Sequence, residues 1–245
     1  MTIVLVHGAF ADASGWSGVF QRLTARGYDV IAPANHLRSI KTDAESIASL
    51  LASIAGPIVL VGHSYGGAVI TNAARRNTNV KALVYVDGFA LDEGESASSI
   101  SDRFPGEKIA PALAAPVPLK EGGADLYIGK QNFHAQFAAD VPEAEAMLMW
   151  ATQRPLTVAA VTEASGAPAW KTIPSWFVYG LADRSIPVAA LQFMANRAGA
   201  KEIVEIDGGS HVVMVSHPDE VAELIERAAA SATQTETAER QLSPA

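Results

Sequence analysis

The chain alternates short, continuous apolar runs with longer stretches of helical periodicity, and no other feature constrains its fold as strongly. The runs at 3–6 and 58–61 are rich in β-branched residues, which is typical of strands buried on both faces. Further strands are predicted over 28–32, 81–86, 176–179 and 202–206. Apolar residues at helical spacing predict helices over 14–26, 42–55, 65–76, 188–198 and 218–230. Strands that alternate with helices predict an α/β fold with a mostly parallel, doubly wound sheet.

Residues 93–171 interrupt this alternation. The segment carries many prolines and alanines, and it shows helical patterns around 133–138 and 142–152. Because long irregular insertions are usually functional, we expect a helical cap over the carboxyl edge of the sheet, where the active sites of such folds lie. Residues 1–92 and 172–230 then form the core. The final segment, 231–245, is polar and lacks an apolar face, which predicts a disordered tail.

Composition excludes several classes of function. The 245 residues include no cysteine, which excludes disulfides, thiolate catalysis and thiolate metal sites. The formal net charge of −8 disfavours nucleic acid as a partner, because phosphates need a basic face. No apolar run approaches the roughly 18 residues of a membrane span, and Met1 and Thr2 lead directly into the first predicted strand. We therefore expect a cytoplasmic monomer or homodimer that binds neither membranes nor nucleic acid.

A glycine-rich turn joins a predicted strand to a predicted helix, with the sequence Gly62-His63-Ser64-Tyr65-Gly66-Gly67. The pattern G-x-S-x-G between a strand and a helix is typical of a nucleophile elbow. Small neighbours allow the tight turn that exposes the serine hydroxyl above the sheet. The helix that follows directs free N–H groups at developing negative charge. We therefore predict that Ser64 is a nucleophile and that the Tyr65 N–H helps to form an oxyanion hole.

Four segments together resemble the α/β-hydrolase superfamily in their order and spacing: Val6-His7-Gly8-Ala9-Phe10, the turn around Ser64, Gly180-Leu181-Ala182-Asp183 and Ser210-His211. The short N-terminus and the run His211-Val212-Val213-Met214-Val215-Ser216-His217-Pro218 more closely resemble small esterases related to plant methyl esterases and hydroxynitrile lyases. The resemblance implies a serine hydrolase that cleaves a small-molecule carboxylic ester through an acyl-serine intermediate. It also implies the chain order serine, acid, histidine.

The serine needs a base and an acid. A serine hydroxyl is a weak nucleophile, so an imidazole must take its proton. His211 follows the last predicted strand through a flexible loop and lies downstream of a candidate acid. Asp183 occupies the usual acid position of the superfamily, but Asp87 stays a competitor, because some members carry the acid after the preceding strand. The sequence has no H-E-x-x-H motif and its six histidines are scattered, so we expect no metal and no cofactor.

The loop after the first strand is expected to complete the oxyanion hole. Alignment with the superfamily favours the N–H of Phe10 as the second donor, with Ala9 as the fallback. The aromatic and methionine side chains of the predicted cap favour a small or aromatic ester. The expected substrate contacts are Ala9, His63, Phe137, Trp150 and Val212.

Other functions on the same scaffold stay open at this point. Thioesterase, lactonase, perhydrolase and cofactor-free dioxygenase chemistry could use the same side chains. Hydroxynitrile lyase chemistry is disfavoured, because those enzymes carry a threonine at the position of Gly8 and a lysine at that of Val212. A ligand-binding receptor is the alternative of another class, and the intact set of Ser64, Asp183 and His211 argues against it.

Overall fold

A parallel sheet forms the centre of the protein. The computed structural model describes the backbone of residues 1–242 and the side chains of residues 1–234. In chain order the strands are β1 (Thr2–Val6), β2 (Asp29–Ile31), β3 (Ile58–His63), β4 (Val80–Val86), β5 (Val117–Pro118), β6 (Ala124–Leu126), β7 (Leu156–Thr157), β8 (Ser175–Gly180) and β9 (Glu202–Ile206). The main sheet has the order β2-β1-β3-β4-β8-β9, and all its neighbouring strands are parallel. The predicted fold class is confirmed, and each predicted strand overlaps a strand of this sheet.

Helices cover the main sheet, whose central strands are buried along their whole length. In chain order they are α1 (Ser17–Ala25), α2 (Ile40–Ser53), α3 (Tyr65–Ala73), α4 (Ala97–Arg103), α5 (Lys130–Phe137), α6 (Glu143–Thr152), α7 (Val158–Thr162), α8 (Val188–Arg197), α9 (Val213–Ser216) and α10 (Pro218–Leu242). Helices α1 and α10 pack against each other and against the sheet, and α2 packs against α3, which contacts the sheet. Within the described residues, no helix combines the length and the hydropathy that crossing a membrane requires.

The segment 93–171 lies between β4 and β8. It holds α4 to α7 and a small antiparallel sheet of β5, β6 and β7. Helices α5 and α6 correspond to the two predicted helical patches. The small sheet was not predicted, because strands of two or three residues are too short to show an alternating pattern. Several apolar side chains of the segment, among them Phe133 and Leu156, join the main hydrophobic core.

The last helix is longer than predicted. Helix α10 continues to Leu242, whereas we expected it to end at Ala230, and Ala232 is buried. The prediction of a disordered tail over 231–245 is therefore wrong for the described part of that segment, and residues 243–245 lie outside the described residues. Alanine, glutamate, arginine and glutamine are strong helix formers, and such residues extend a helix without an apolar face of their own.

Candidate active site

Ser64 occupies a sharp turn between β3 and α3. Its backbone has φ of 52° and ψ of −122°, a conformation that residues other than glycine rarely adopt. Gly62 makes the turn possible, because a Cβ at this position would lie 2.6 Å from the carbonyl oxygen of Gly66. The Ser64 N–H donates to the carbonyl of Val86, and the Ser64 carbonyl accepts from the N–H of Phe89. Strand β4 and the loop after it therefore hold the strained turn in place.

Ser64, His211 and Asp183 form one hydrogen-bonded chain. Ser64 Oγ lies 2.9 Å from His211 Nε2, and His211 Nδ1 lies 2.7 Å from Asp183 Oδ2. The second carboxylate oxygen of Asp183 accepts hydrogen bonds from the N–H groups of Ser185 and Ile186, so the carboxylate is fixed. All three side chains of the chain are almost fully buried. A carboxylate that accepts Nδ1–H leaves Nε2 free to accept the serine proton.

Asp87, the competing acid, lies beside this chain and makes different contacts. Its Oδ1 accepts the N–H of Gly180 at 2.9 Å. One carboxylate oxygen each of Asp87 and Asp183 and one ring nitrogen of His211 all lie within 4.8 Å of one another. Burial, and then the neighbouring Asp183 carboxylate, raise the pKa of Asp87 well above its ordinary value. A metal ion held by these three groups would have to replace the hydrogen bond between His211 and Asp183.

The loop that carries His211 is held by the segment 93–171 and by a second histidine. Asp140, in the loop after α5, accepts hydrogen bonds from the N–H of Ser210 at 3.0 Å and from its hydroxyl. His63 Nε2 donates to the backbone carbonyl of His211 at 2.9 Å, and the Phe137 ring centroid lies 5.1 Å from that of the imidazole. The sequence did not reveal Asp140, because a single aspartate in an irregular segment carries no motif.

Buried histidines support both sides of the turn at Ser64. Burial lowers the pKa of His7, and it lowers the pKa of His63 well below the ordinary value, with the nearby His211 adding to the effect. Neutral His7 can therefore accept the N–H of Asn35 at Nε2 while its Nδ1–H donates to the carbonyl of Gly8. These two hydrogen bonds fix the loop after β1 next to the nucleophile.

The prediction that Phe10 supplies the second N–H of the oxyanion hole is wrong. Phe10 has a positive φ of 58°, and its N–H donates to the carbonyl of Arg154 in the cap at 3.1 Å. That donor is already used. Ala9, the fallback, lies in the wall of the cavity beside Ser64 and Tyr65, so the second donor is reassigned to it as a proposal.

A mostly apolar cavity of about 190 Å³ opens onto Ser64 and His211. An apolar cavity of about 150 Å³ is large enough to bind benzene, so this one can hold a ring or a short acyl chain. An ion pair between Lys108 and Asp102, 3.1 Å apart, adds charge to one part of the lining. The larger apolar side chains of the wall are Phe10, Phe89, Ile109, Leu113, Leu126, Phe137, Leu156, Val161 and Ile186.

The predicted substrate contacts divide into two groups. Ala9 and Phe137 lie in the wall of the cavity. His63 and Val212 are both fully buried, and His63 contacts the backbone of the His211 loop. The expected contacts of His63 and Val212 with the substrate are therefore not supported by the lining of the cavity. His63 ends β3, where successive side chains point to opposite faces, so it lies on the other side of the chain from Ser64.

Trp150 is placed away from the cavity. It lines a separate surface groove, where its ring centroid lies 5.0 Å from the Lys130 ammonium. The expectation that it contacts the substrate is therefore wrong for the described structure. Helix α6 is apolar on several sides, so its sequence pattern does not indicate which face turns toward the site.

Comparisons with known proteins find consistent relatives. A model of the alpha/beta hydrolase family matches residues 3–224. A pyrethroid hydrolase from Sphingobium wenxiniae is 27% identical, over 91% of this chain and 85% of the relative. An alpha-hydroxynitrile lyase from Arabidopsis thaliana is 23% identical, over 89% of this chain and 93% of the relative. The solved structure of a methylesterase from Arabidopsis superposes with a TM-score of 0.78 at 16% identity, covering 94% of this chain and 99% of that one.

These findings confirm the resemblance to small esterases related to plant methyl esterases and hydroxynitrile lyases. The family match spans β1, the elbow at Ser64 and the strands that precede Asp183 and His211. The order of the sheet and the residues at its carboxyl edge agree with that match. The chain belongs to the alpha/beta hydrolase family.

Proposed function

We propose that the protein hydrolyses small or aromatic carboxylic esters through an acyl-serine intermediate. Ser64 is the nucleophile, His211 the general base and Asp183 the acid that orients the imidazole. The observation that carries this proposal is the chain of hydrogen bonds, 2.9 Å and 2.7 Å long, at the wall of an apolar cavity. The names of the pyrethroid hydrolase and methylesterase relatives agree with ester hydrolysis.

In the first half of the reaction, His211 Nε2 takes the hydroxyl proton as Ser64 Oγ attacks the ester carbonyl carbon. The Asp183 carboxylate stabilises the imidazolium that forms. The carbonyl oxygen becomes an oxyanion and accepts hydrogen bonds from the N–H groups of Tyr65 and Ala9, at the positive end of α3. His211 then returns the proton to the leaving alcohol. In the second half, the same imidazole deprotonates a water molecule, which attacks the acyl-serine carbonyl carbon. The bond to Ser64 Oγ then breaks, His211 returns the proton to Oγ, and the carboxylic acid leaves.

Two positions favour hydrolysis over hydroxynitrile lyase chemistry. A Cβ on Gly8 would lie 2.6 Å from Ser64 Cβ, so the threonine of the lyases cannot be present here unless the nucleophile moves. Val212, at the position of the lyase lysine, is a fully buried apolar residue. At these two positions the chain offers neither a hydroxyl nor an ammonium group to a cyanohydrin.

Hydrolysis of p-nitrophenyl esters by the purified protein tests the proposed function. We expect release of p-nitrophenol, with higher kcat/KM for butyrate and benzoate, which fit the cavity, than for palmitate, which does not. Calorimetry on the same esters measures binding. Binding without release of p-nitrophenol would contradict the proposal and indicate a receptor. Turnover of thioesters or lactones without turnover of any oxygen ester would assign the same residues to another substrate class.

We expect Leu156→Ala to shift the preference toward longer acyl chains. Leu156 lies in the wall of the cavity, and a methylene in such a pocket is worth about 1–3 kcal/mol, so the ratio of kcat/KM for hexanoate over acetate should rise about tenfold. The ratio is taken within one sample, so any loss of folded protein cancels. Trp150→Ala is the matched control, because Trp150 lies in the separate groove. A shift of equal size in both variants would contradict the assignment of the cavity.

A further inference from the structure

The carboxyl group of Asp87 lies beside the proposed catalytic residues, and the mechanism above does not use it. The side chain is fully buried just after β4, at a residue with a positive φ of 41°. Its Oδ1 accepts the N–H of Gly180, whereas Oδ2 makes no well-formed hydrogen bond among the described residues and has the backbone N–H of Val213 nearby. A buried carboxyl oxygen without a well-formed hydrogen bond is rare in folded proteins, so its presence at this place calls for an explanation.

The surroundings of Asp87 determine its charge. Burial and then the adjacent Asp183 carboxylate raise the pKa of Asp87, and Asp140 acts in the same direction, whereas the N–H groups of Gly180 and Val213 oppose them. Two carboxyl groups that share a buried site do not both ionise readily. Asp183 accepts the hydrogen bond of His211 and two backbone N–H groups. The raised pKa of Asp87 favours its protonated form beside them.

We propose that Asp87 is a reserve acid, which becomes the carboxylate partner of His211 when Asp183 is absent. This inference rests on the proposed function. One oxygen of Asp87 already lies within 4.8 Å of a His211 ring nitrogen, and β4 and β8, which precede the two acids, are neighbours in the sheet. Rotation of one carboxyl group, rather than a change of fold, brings Asp87 into hydrogen-bond distance. Asp87 acts through the imidazole and is thus a positioning residue.

Loss of Asp183 changes the protonation of Asp87. In Asp183→Asn the negative charge next to Asp87 is gone, which lowers the pKa of Asp87 relative to the parent protein, while burial continues to raise it. Once ionised, the Asp87 carboxylate can accept Nδ1–H of His211, which keeps Nε2 as the base toward Ser64.

The test compares Asp183→Asn with Asp183→Asn/Asp87→Asn in the hydrolysis of p-nitrophenyl butyrate. Asparagine keeps the Oδ1 acceptor for Gly180 and tolerates a positive φ, so the second substitution preserves the loop. We expect kcat to fall about 10²-fold in the single variant and about 10⁴-fold in the double variant, the loss typical of an imidazole without its carboxylate. The factor by which Asp87→Asn lowers kcat should be at least tenfold smaller in the parent background than in the Asp183→Asn background.

The pH profile separates an orienting carboxylate from a structural contact. A nearby anion favours the protonated imidazole. As the pH is lowered, Asp183→Asn should therefore lose its activity at a higher pH than the double variant, in which no such anion remains. Asp183→Asn/Asp92→Asn is the matched control. Asp92 lies on the same loop as Asp87 and is paired with Lys171 at the surface. Its replacement by asparagine removes the same charge as Asp87→Asn. This control should reproduce the kcat and the acid limb of Asp183→Asn.

An asparagine amide at position 183 can donate to Nδ1 of His211 and hold the imidazole in the wrong tautomer. The comparison with and without Asp87→Asn is therefore repeated in an Asp183→Ala background. Thermal melting of each variant confirms that it is folded. Equal kcat values and coincident acid limbs with and without Asp87, in both backgrounds, would overturn the reserve role. Failure of the proposed function would look different, because the parent protein itself would not hydrolyse the ester.

Discussion

Ser64→Ala should lower kcat for p-nitrophenyl butyrate by about 10⁶-fold, which leaves a small rate from substrate binding and the oxyanion hole. The reason is geometric: Ser64 Oγ lies 2.9 Å from the only imidazole nitrogen that faces it among the described side chains, at the wall of the cavity. Alanine accepts the same backbone conformation as serine and leaves the turn in place. Thermal melting should therefore stay close to that of the parent.

Ser49→Ala is the control for this result. Ser49 is an exposed residue of α2 whose hydroxyl donates to the carbonyl of Glu45 in its own helix. It should keep the parental kcat. An active Ser64→Ala protein, measured after any contaminating esterase has been removed by a second chromatographic step, would exclude Ser64 as the nucleophile.

His211→Ala should be nearly as severe, with a loss in kcat on the order of 10⁶-fold, because serine and imidazole act as one unit. Without the imidazole, the Ser64 hydroxyl keeps its proton at neutral pH and attacks the ester only slowly. The same dependence makes the losses non-additive. Ser64→Ala/His211→Ala should be no slower than either single variant, as measured by single-turnover kinetics at saturating ester.

An exposed histidine provides the control for His211. His36 is exposed at the surface before α2. Its replacement by alanine should leave kcat unchanged. If the double variant lost the product of the two single effects instead, Ser64 and His211 would act independently, and the hydrogen bond between them would have no role in the reaction.

The sequence predicted the main sheet and the three proposed catalytic residues for the same reason. Strands buried on both faces are continuous apolar runs, so β3 and β8 were visible as such, whereas the partly buried β9 was predicted from its place in the alternation of strands and helices. In a parallel sheet the residues that follow these strands meet at one edge. Ser64, Asp183 and His211 each follow one of them, and the structure brings their side chains into hydrogen-bond contact.

The sequence could not predict contacts that depend on the irregular segment. Phe10 has a positive φ, and its N–H donates to the carbonyl of Arg154, which lies far along the chain in the segment between β4 and β8. Asp140 reaches the His211 loop through Ser210, again over a long sequence separation. Periodicity reports burial within one element, so it contains no information on which distant loop an atom meets.

Peptide mapping after labelling with a fluorophosphonate asks whether Ser64 is the nucleophile. An activated serine hydroxyl attacks the phosphorus atom and displaces fluoride, so the adduct marks the residue that would attack an ester. We expect one adduct, on the peptide that contains Ser64, and a strongly reduced yield at the same time point in His211→Ala. An adduct on another serine, or full ester hydrolysis by a protein in which Ser64 stays unlabelled, would contradict the assignment.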